Sequence, residues 1–481
     1  IRVPTFRRMA YGLVLCSANQ YFCCMMNVHF IAIGGAAMHN LALALQHKGY
    51  QVTGSDDEIN EPSKSRLEKA GLLPAEMGWF PERIHSGLDA VILGMHARAE
   101  NPELLRAKEL GIPVFSYPEY LYEQSKNKRR FVVGGSHGKT SITAMILHVL
   151  NFHKVDFDYM VGSQLEGFER MVRLSESAPI IILEGDEYLS SPIDRRPKFH
   201  LYKADVALLS GIAWDHINVF PTFDNYVEQF RIYVNGIPEN GRLIYCDQDP
   251  EVKTVGEAAS PVKNKSPYGI PKHRIIDGTT ILETTQGDVP LQIFGTHNLM
   301  NLEGARMMCN EAGISDAQFY EAIGSFKGAA RRLELIARTE KLIVFKDFAH
   351  SPSKLKATTD AVKTQFSERR LVACMELHTF SSLNAAFLDE YKDAMKLADV
   401  AVVYFNPQTI AHKKLEAIST EQVKKAFGRD DLIVMNASAE VRSFFENQEY
   451  KKDVLLLMSS GNFDGIDLNA FGKMLAEGIS A

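Results

Sequence analysis

Cysteine is scarce in this chain of 481 residues: there are six, none in a C-x-x-C pair. That excludes a disulfide framework and makes reduced thiols in the cytoplasm the expected state. No apolar run approaches the ~20 residues that cross a bilayer, so no membrane partner is expected. Neither sign of charge dominates, with 53 Lys and Arg against 59 Asp and Glu for a formal charge of -6, and a nucleic-acid partner lacks its basic footprint. Internal repeats and low-complexity tracts are missing too. What is there is length: at roughly 150 residues per domain, the chain has room for about three cores.

Residues 1–25 carry Arg2, Arg7 and Arg8, no acidic residue, an apolar run over 10–15, and Cys16, Cys23 and Cys24. A short export signal shares that pattern. Leu15, however, precedes Cys16 where a lipobox needs a small residue, and Met25 and Met26 stand directly before a strand pattern. The segment is read as an extension outside the fold, with export as the alternative.

From residue 26 onward, apolar runs alternate with helix-period stretches. A strand over 28–33 leads through Gly34-Gly35 into a helix pattern at Met38, Leu41 and Leu45; strands over 51–54 and 90–93 follow. That alternation predicts an α/β nucleotide-binding domain over 26–127, closed by the charged stretch Lys126 to Arg130. A central domain over 128–327 has strands at 131–133, 180–183 and 206–209. A third, over 328–481, has strands at 342–345, 371–374, 400–405, 432–434 and 454–458 and reads as doubly wound. Residues 260–272, rich in Pro, Lys and Ser, read as a surface loop.

The sharpest chemical signal is Gly134-Gly135-Ser136-His137-Gly138-Lys139-Thr140-Ser141, between a strand and an apolar helix pattern. Small residues let backbone N–H groups close around phosphate oxygens, Lys139 reaches the β/γ oxygens, and Thr140 can ligate Mg²⁺. ATP is the natural ligand, although Val133 occupies the place of the first glycine in the longer phosphate-loop form. Glu184-Gly185-Asp186-Glu187 emerges where the 180–183 strand ends, and Trp214-Asp215-His216 follows another strand; in open parallel sheets ligands collect at that edge. Glu184, His216 and Thr140 make a plausible set for a hard metal. Taken singly, the acidic block also reads as a solvated loop and His216 as a helix cap or core residue. Gly295-Thr296-His297-Asn298-Leu299-Met300-Asn301 opens a helix ended by Gly313, where Thr296 or Asn298 could be an N-cap. Asp347 and His350 end a strand before Pro352, a helix first-turn residue after Ser351.

Taken in order, G-S-H-G-K-T-S, E-G-D-E, W-D-H, G-T-H-N-x-x-N, A-R-R (330–332) and D-F-A-H-S-P (347–352) resemble the Mur ligase family from about Asn27 to the end. The resemblance implies three domains binding a UDP-sugar, ATP and an incoming amine: a Rossmann-like first domain, a phosphate-loop central domain and a Rossmann-like third domain. It implies ATP and Mg²⁺ as cofactors, and formation of an amide through an acyl phosphate, with closure of the third domain before chemistry. Lys139, Glu184 and His216 would be catalytic, and Thr140, Glu184 and His216 would hold metal. Gly135, Ser136, His137, Gly138, Lys139, Thr140, Ser141, His297, Asn298, Asn301, Arg332, Asp347 and His350 would bind ATP. Gly34, Gly35, Met38 and Asp56 would face the UDP-sugar. Glu376, His378, Ser459 and Ser460, at ends of strands in the third domain, are candidates for reading the amino substrate.

Ile33-Gly34-Gly35-Ala36-Ala37-Met38 and Gly54-Ser55-Asp56 look like the signature of members acting on UDP-N-acetylmuramate itself. The segment 194–202, with 184–188 and 458–466, is similar to the branch that reattaches the recycled tripeptide L-Ala-γ-D-Glu-meso-diaminopimelate to that sugar nucleotide. The alternatives are the branch adding free L-alanine in de novo peptidoglycan synthesis and, more remotely, an inactive UDP-muramyl sensor. A monomer or weak dimer is expected. Three stretches depart from the family pattern. Phe230 and Arg231 stand where several members have a lysine modified to a carbamate, so none is expected; Ser351 replaces a histidine; Gly185 and Leu189 alter the acidic block.

Overall fold

The computed structural model describes residues 25–214, 219–328 and 333–478. Of the expected features, the extension up to residue 24, Asp215, His216, Ala330, Arg331 and Arg332 lie outside the described residues.

The first sheet holds β1 (Asn27–Ile31), β2 (Gln51–Ser55), β3 (Ala90–Leu93) and β4 (Val114–Ser116), all parallel in the order β2-β1-β3-β4. Parallel strands are covered on both faces, which is why β3 reads as an uninterrupted apolar run, A-V-I-L, with every residue buried. A fully buried polar pair interrupts this core. His29 of β1 lies with Nε2 3.3 Å from Glu103 Oε2, and Glu103 Oε1 accepts the Phe80 amide at 2.7 Å.

The central sheet holds β5 (Arg129–Gly134), β6 (Asp158–Met160), β7 (Val172–Arg173), β8 (Ile180–Gly185), β9 (Val206–Leu209), β10 (Arg242–Cys246) and β11 (Asn264–Tyr268). Their order is β11-β10-β9-β5-β8-β6-β7, so the turn after β5 is flanked by the ends of β8 and β9. All pairs are parallel except the antiparallel β6–β7.

Strand β11 corrects the expected loop over 260–272. It pairs in parallel with β10 at the sheet edge, where Pro267, opposite Tyr245, leaves the outward side free of a ladder donor. A three-stranded antiparallel sheet not anticipated from sequence follows: β12 (His273–Ile276), β13 (Thr279–Thr284) and β14 (Gly287–Leu291). Its first hairpin turns on Asp277-Gly278, both at positive φ, a D-G signal open to sequence reading.

The third domain is one sheet in the order β15-β16-β20-β17-β18-β19. It comprises β15 (Glu334–Arg338), β16 (Leu342–Asp347), β17 (Arg370–Leu377), β18 (Val400–Phe405), β19 (Ile433–Met435) and β20 (Asp453–Met458). Only β15 is antiparallel to its neighbour. With a parallel sheet in each part, the structure has the expected α/β three-domain architecture.

Replacing Glu103 with alanine strips His29 and the Phe80 amide of a buried partner at once. Stability of the first domain should fall by about 3 kcal/mol, read from urea unfolding followed by circular dichroism.

Candidate active site

The phosphate loop leaves β5 at Gly134 and enters the helix Lys139–Phe152, which has Gly138 as its N-cap at φ +80° and no acidic residue in its first turn. The end of β9 straps it down. The Ser136 amide donates to Gly211 O (2.9 Å), the Ala213 amide to Ser136 Oγ (2.8 Å), and the Ser210 hydroxyl to His137 O. Gly135 sits at φ +135°, where an added Cβ would run into Ser210 Oγ; a Cβ on Gly138 would meet Asn301 Oδ1 at 2.5 Å. Two of the loop's glycines are therefore required by close approach as well as by backbone conformation. Burial, with His297 adding to it, pushes the His137 pKa down to about 4, and the two rings meet edge to face at 6.1 Å.

Three carboxylates follow on four consecutive positions at the end of β8, and each finds a different partner. Glu184, 7% exposed, accepts the Thr140 hydroxyl on Oε1 (2.7 Å) and the Gly162 amide on Oε2 (2.8 Å). Burial raises its pKa against the pull of those two donors. Asp186 accepts Lys198 Nζ at 2.5 Å; burial opposes its charge, but Lys198 and Lys139 outweigh burial and hold it below the ordinary value. Glu187, 1% exposed, accepts Lys139 Nζ on Oε2 at 2.6 Å and the Tyr226 hydroxyl on Oε1 at 3.2 Å. Lys139 also donates to Gly135 O at 2.6 Å. Burial works against the ammonium, yet Glu187 and Asp186 more than offset it, so Lys139 stays charged.

Lys198 escaped the sequence reading as a site residue. It arrives on the segment after Leu189, which folds back on the acidic block: the Ser190 amide donates to Arg196 O (3.0 Å), the Lys198 amide to Tyr188 O (3.0 Å), and Leu189 bridges Pro197. Phe230, in place of the family lysine, is buried edge to face against Phe199 and Tyr226, while Arg231 turns outward to Glu228 and Glu251.

The fit for magnesium rests on Glu184. It is buried, its direct partners are a hydroxyl and an amide, and the Thr140 oxygen beside it supplies the same hard donor type. Among the described residues no three His, Cys, Asp or Glu side chains converge as a cage. Magnesium does not need one, since it keeps water and phosphate oxygens in its shell.

The remaining candidates fall into three places. In the helix Thr296–Glu311, Asn301 packs on Gly138, and Asn298 bonds back to Phe294 O (2.9 Å) while lining a cleft with Ser141, Phe326, Lys327 and Leu333. His297 faces a separate cavity of about 180 Å³ shared with His273, Thr280, Asp360 and Gln365. Asp347 accepts the Leu333 amide (2.6 Å) and the Ala349 amide (2.7 Å), which fixes the entry into the third domain. His350 holds Nδ1 2.8 Å from Phe348 O, and Ser351 caps the helix Pro352–Gln365 by position, without a side-chain bond.

In the first domain the Gly34 amide donates to Asp56 Oδ2 (2.7 Å), so Asp56 shapes the glycine turn; burial raises its pKa. Gly35 caps the helix Ala36–His47, and Met38, 4% exposed, points into the core. In the third domain Glu376 accepts the Ser459 hydroxyl and the Phe463 amide (2.9 Å), with His378 Nδ1 3.6 Å away. The Ser460 hydroxyl is buried without a hydrogen-bond partner among the described residues. Arg66, also unanticipated, reaches across to Gln164 Oε1 of the central domain at 3.1 Å.

Three Mur ligase profiles match in order along the chain: the family's catalytic domain over residues 27–129, its middle domain over 133–309 and its glutamate ligase domain over 331–461. A UDP-N-acetylmuramate–L-alanine ligase of Rubrobacter xylanophilus is 30% identical over 388 residues, covering 79% of this chain and 83% of its own. The chain belongs to the Mur ligase family. It is thus an ATP-dependent enzyme that forms amide bonds. A Sulfurihydrogenibium ligase of the same name is 28% identical over 462 residues, 94% of this chain and 98% of its own. Among solved structures, a UDP-N-acetylmuramate–alanine ligase from Thermotoga maritima shares the fold with a TM-score of 0.65 at 19% identity, covering 95% of this chain and 99% of its own. A murein peptide ligase from Psychrobacter arcticus does so at 0.59 and 23%, covering 94% and 98%.

Gly135→Ala places a Cβ at positive φ against Ser210, a strain of about 1–3 kcal/mol. ADP affinity measured by calorimetry should fall at least about tenfold, and the melting temperature should drop by a few degrees.

Proposed function

We propose that this ligase joins the tripeptide L-alanyl-γ-D-glutamyl-meso-diaminopimelate to UDP-N-acetylmuramate, returning recycled peptide to peptidoglycan synthesis in the cytoplasm. The observation that carries the reading is the segment after Leu189. Its sequence resembles the recycling branch, and it is built into the site through the 2.5 Å contact of Lys198 with Asp186. The names of the curated relatives favour a second reading, in which free L-alanine is the amine.

In either case the muramoyl carboxylate attacks the γ-phosphorus of ATP, and the bond to the β-phosphate oxygen breaks, leaving an acyl phosphate and ADP. The neutral amine then attacks the acyl carbon, phosphate leaves, and the amine's extra proton passes to solvent. The amides of Gly135 to Thr140 and the Lys139 ammonium would meet the phosphates, which is mainly positioning and electrostatic work. Bound at Thr140 and Glu184, magnesium would supply charge neutralisation on the transferring phosphoryl group. His216, by family resemblance, would join Glu184 at a second position. Asn298, Asn301, His297, Asp347, His350 and Arg332 would surround the rest of the nucleotide, with its base at the cleft beside Ser141 and Asn298.

The UDP moiety would lie over Gly34, Gly35 and Asp56, where the helix Ala36–His47 presents unpaired N–H groups to a diphosphate; Met38 would act by shaping the turn from below. The amino substrate would approach the edge formed by Glu376, His378, Ser459 and Ser460.

Phosphate release by the full chain with ATP, Mg²⁺ and UDP-N-acetylmuramate decides between the amines. Turnover with the tripeptide at least tenfold above L-alanine is expected. The reverse preference would establish the alanine reading, and no release with either would exclude both amines. Lys139→Ala should abolish ligation while binding of UDP-N-acetylmuramate, followed by calorimetry, stays within about twofold; loss of both would break the division of labour between the domains.

A further inference from the structure

We propose that Glu187 is a positioning residue that holds Lys139 in the nucleotide-free enzyme and must yield it to the phosphates on binding, so that Glu187 weakens nucleotide affinity and favours release. The inference rests on the nucleotide placement proposed above and is independent of which amine is joined.

The geometry is that of a stand-in phosphate. Lys139 Nζ has curled back over its own loop, spending one proton on Gly135 O and another on Glu187 Oε2, both at 2.6 Å. The carboxylate cannot follow the lysine outward. It stands at the end of β8 with only 1% of its surface exposed, and its other oxygen is tied to the hydroxyl of Tyr226, a fully buried residue of the helix Phe223–Asn235. The mobile partner is the four-carbon lysine arm.

A triphosphate arriving at the loop meets two costs. It must break the ion pair between Lys139 and a buried carboxylate, and it must tolerate that fixed negative charge close to its own. The neighbouring acids do not relieve this, because Asp186 is held by Lys198, and Glu184 by Thr140 and Gly162. A closed resting state lowers apparent affinity in proportion to the fraction of molecules left competent to bind, and the same competition from Glu187 for Lys139 favours departure of ADP.

Glu187→Gln keeps the shape and an oxygen for Tyr226 while removing the charge. Titration of ADP with Mg²⁺ into the full chain should show a Kd about five- to tenfold lower than wild type, with slower ADP release by stopped flow. A merely structural role would move Kd the other way, so an unchanged or raised Kd in a variant that melts like wild type overturns the proposal. A wild-type crystal structure with ADP and Mg²⁺ tests it even if the variant fails to fold. Lys139 Nζ within about 3 Å of a phosphate oxygen and beyond about 4 Å from Glu187 supports release of the lysine, whereas Lys139 still paired with Glu187 overturns it. If ADP binds and Lys139→Ala weakens it but Glu187→Gln does not tighten it, only this inference fails. If Lys139→Ala leaves ADP binding unchanged, the nucleotide placement fails with it.

Discussion

Three carboxylates cannot leave the end of one strand within four residues, largely out of water, unless each is neutralised or hydrogen-bonded separately. Glu184, Asp186 and Glu187 meet that constraint with partners drawn from three parts of the chain: Thr140 and Gly162, Lys198, and Lys139. The glycine-rich loop, the segment folded back after Leu189 and the end of β8 are thereby made interdependent. Moving any one of them breaks a charge-assisted hydrogen bond of this cluster. This is why the segment after Leu189 lies against the glycine-rich loop, and why Glu184, whose direct partners are a hydroxyl and an amide, is the carboxylate whose surroundings fit a divalent cation.

What was legible in the sequence was local. The apolar runs of β3, β9 and β18 have the same bounds in sequence and structure, because a strand covered on both faces needs no long-range information to be recognised. The glycine turn from Gly135 to Ser141 was legible for the same reason: the strand before it, the helix after it and the glycines the turn requires all lie within one short stretch. What escaped depended on partners distant in sequence. Lys198, read only as part of the segment 194–202, is folded onto Asp186. Met38, expected toward the UDP-sugar, lies under the turn because the helix phase of Ala36–His47 is set by core packing. Pro267 marked a loop by its local meaning and a strand by its position at the sheet edge. Of the expected site, His216 and Arg332 lie outside the described residues.

The apolar cores divide the molecule unevenly. One cluster of buried side chains runs from Val28 of the first domain through the central domain to Phe326, whereas the third domain has two clusters of its own, one of which takes in Phe294 of the central domain. Polar ties reinforce the first junction: Arg66 to Gln164, Lys48 to Glu176, and Arg196 to Glu119. A shared close-packed core resists shear, because every side chain would have to leave its place at once. The junction with the third domain is lighter. It rests on the rings of Phe294, Phe345 and Phe366, the buried bond from Thr280 to Gln365, and the grip of Asp347 on Leu333. The first and central domains are thus packed around one apolar core, and the third is attached to them through this smaller set of contacts.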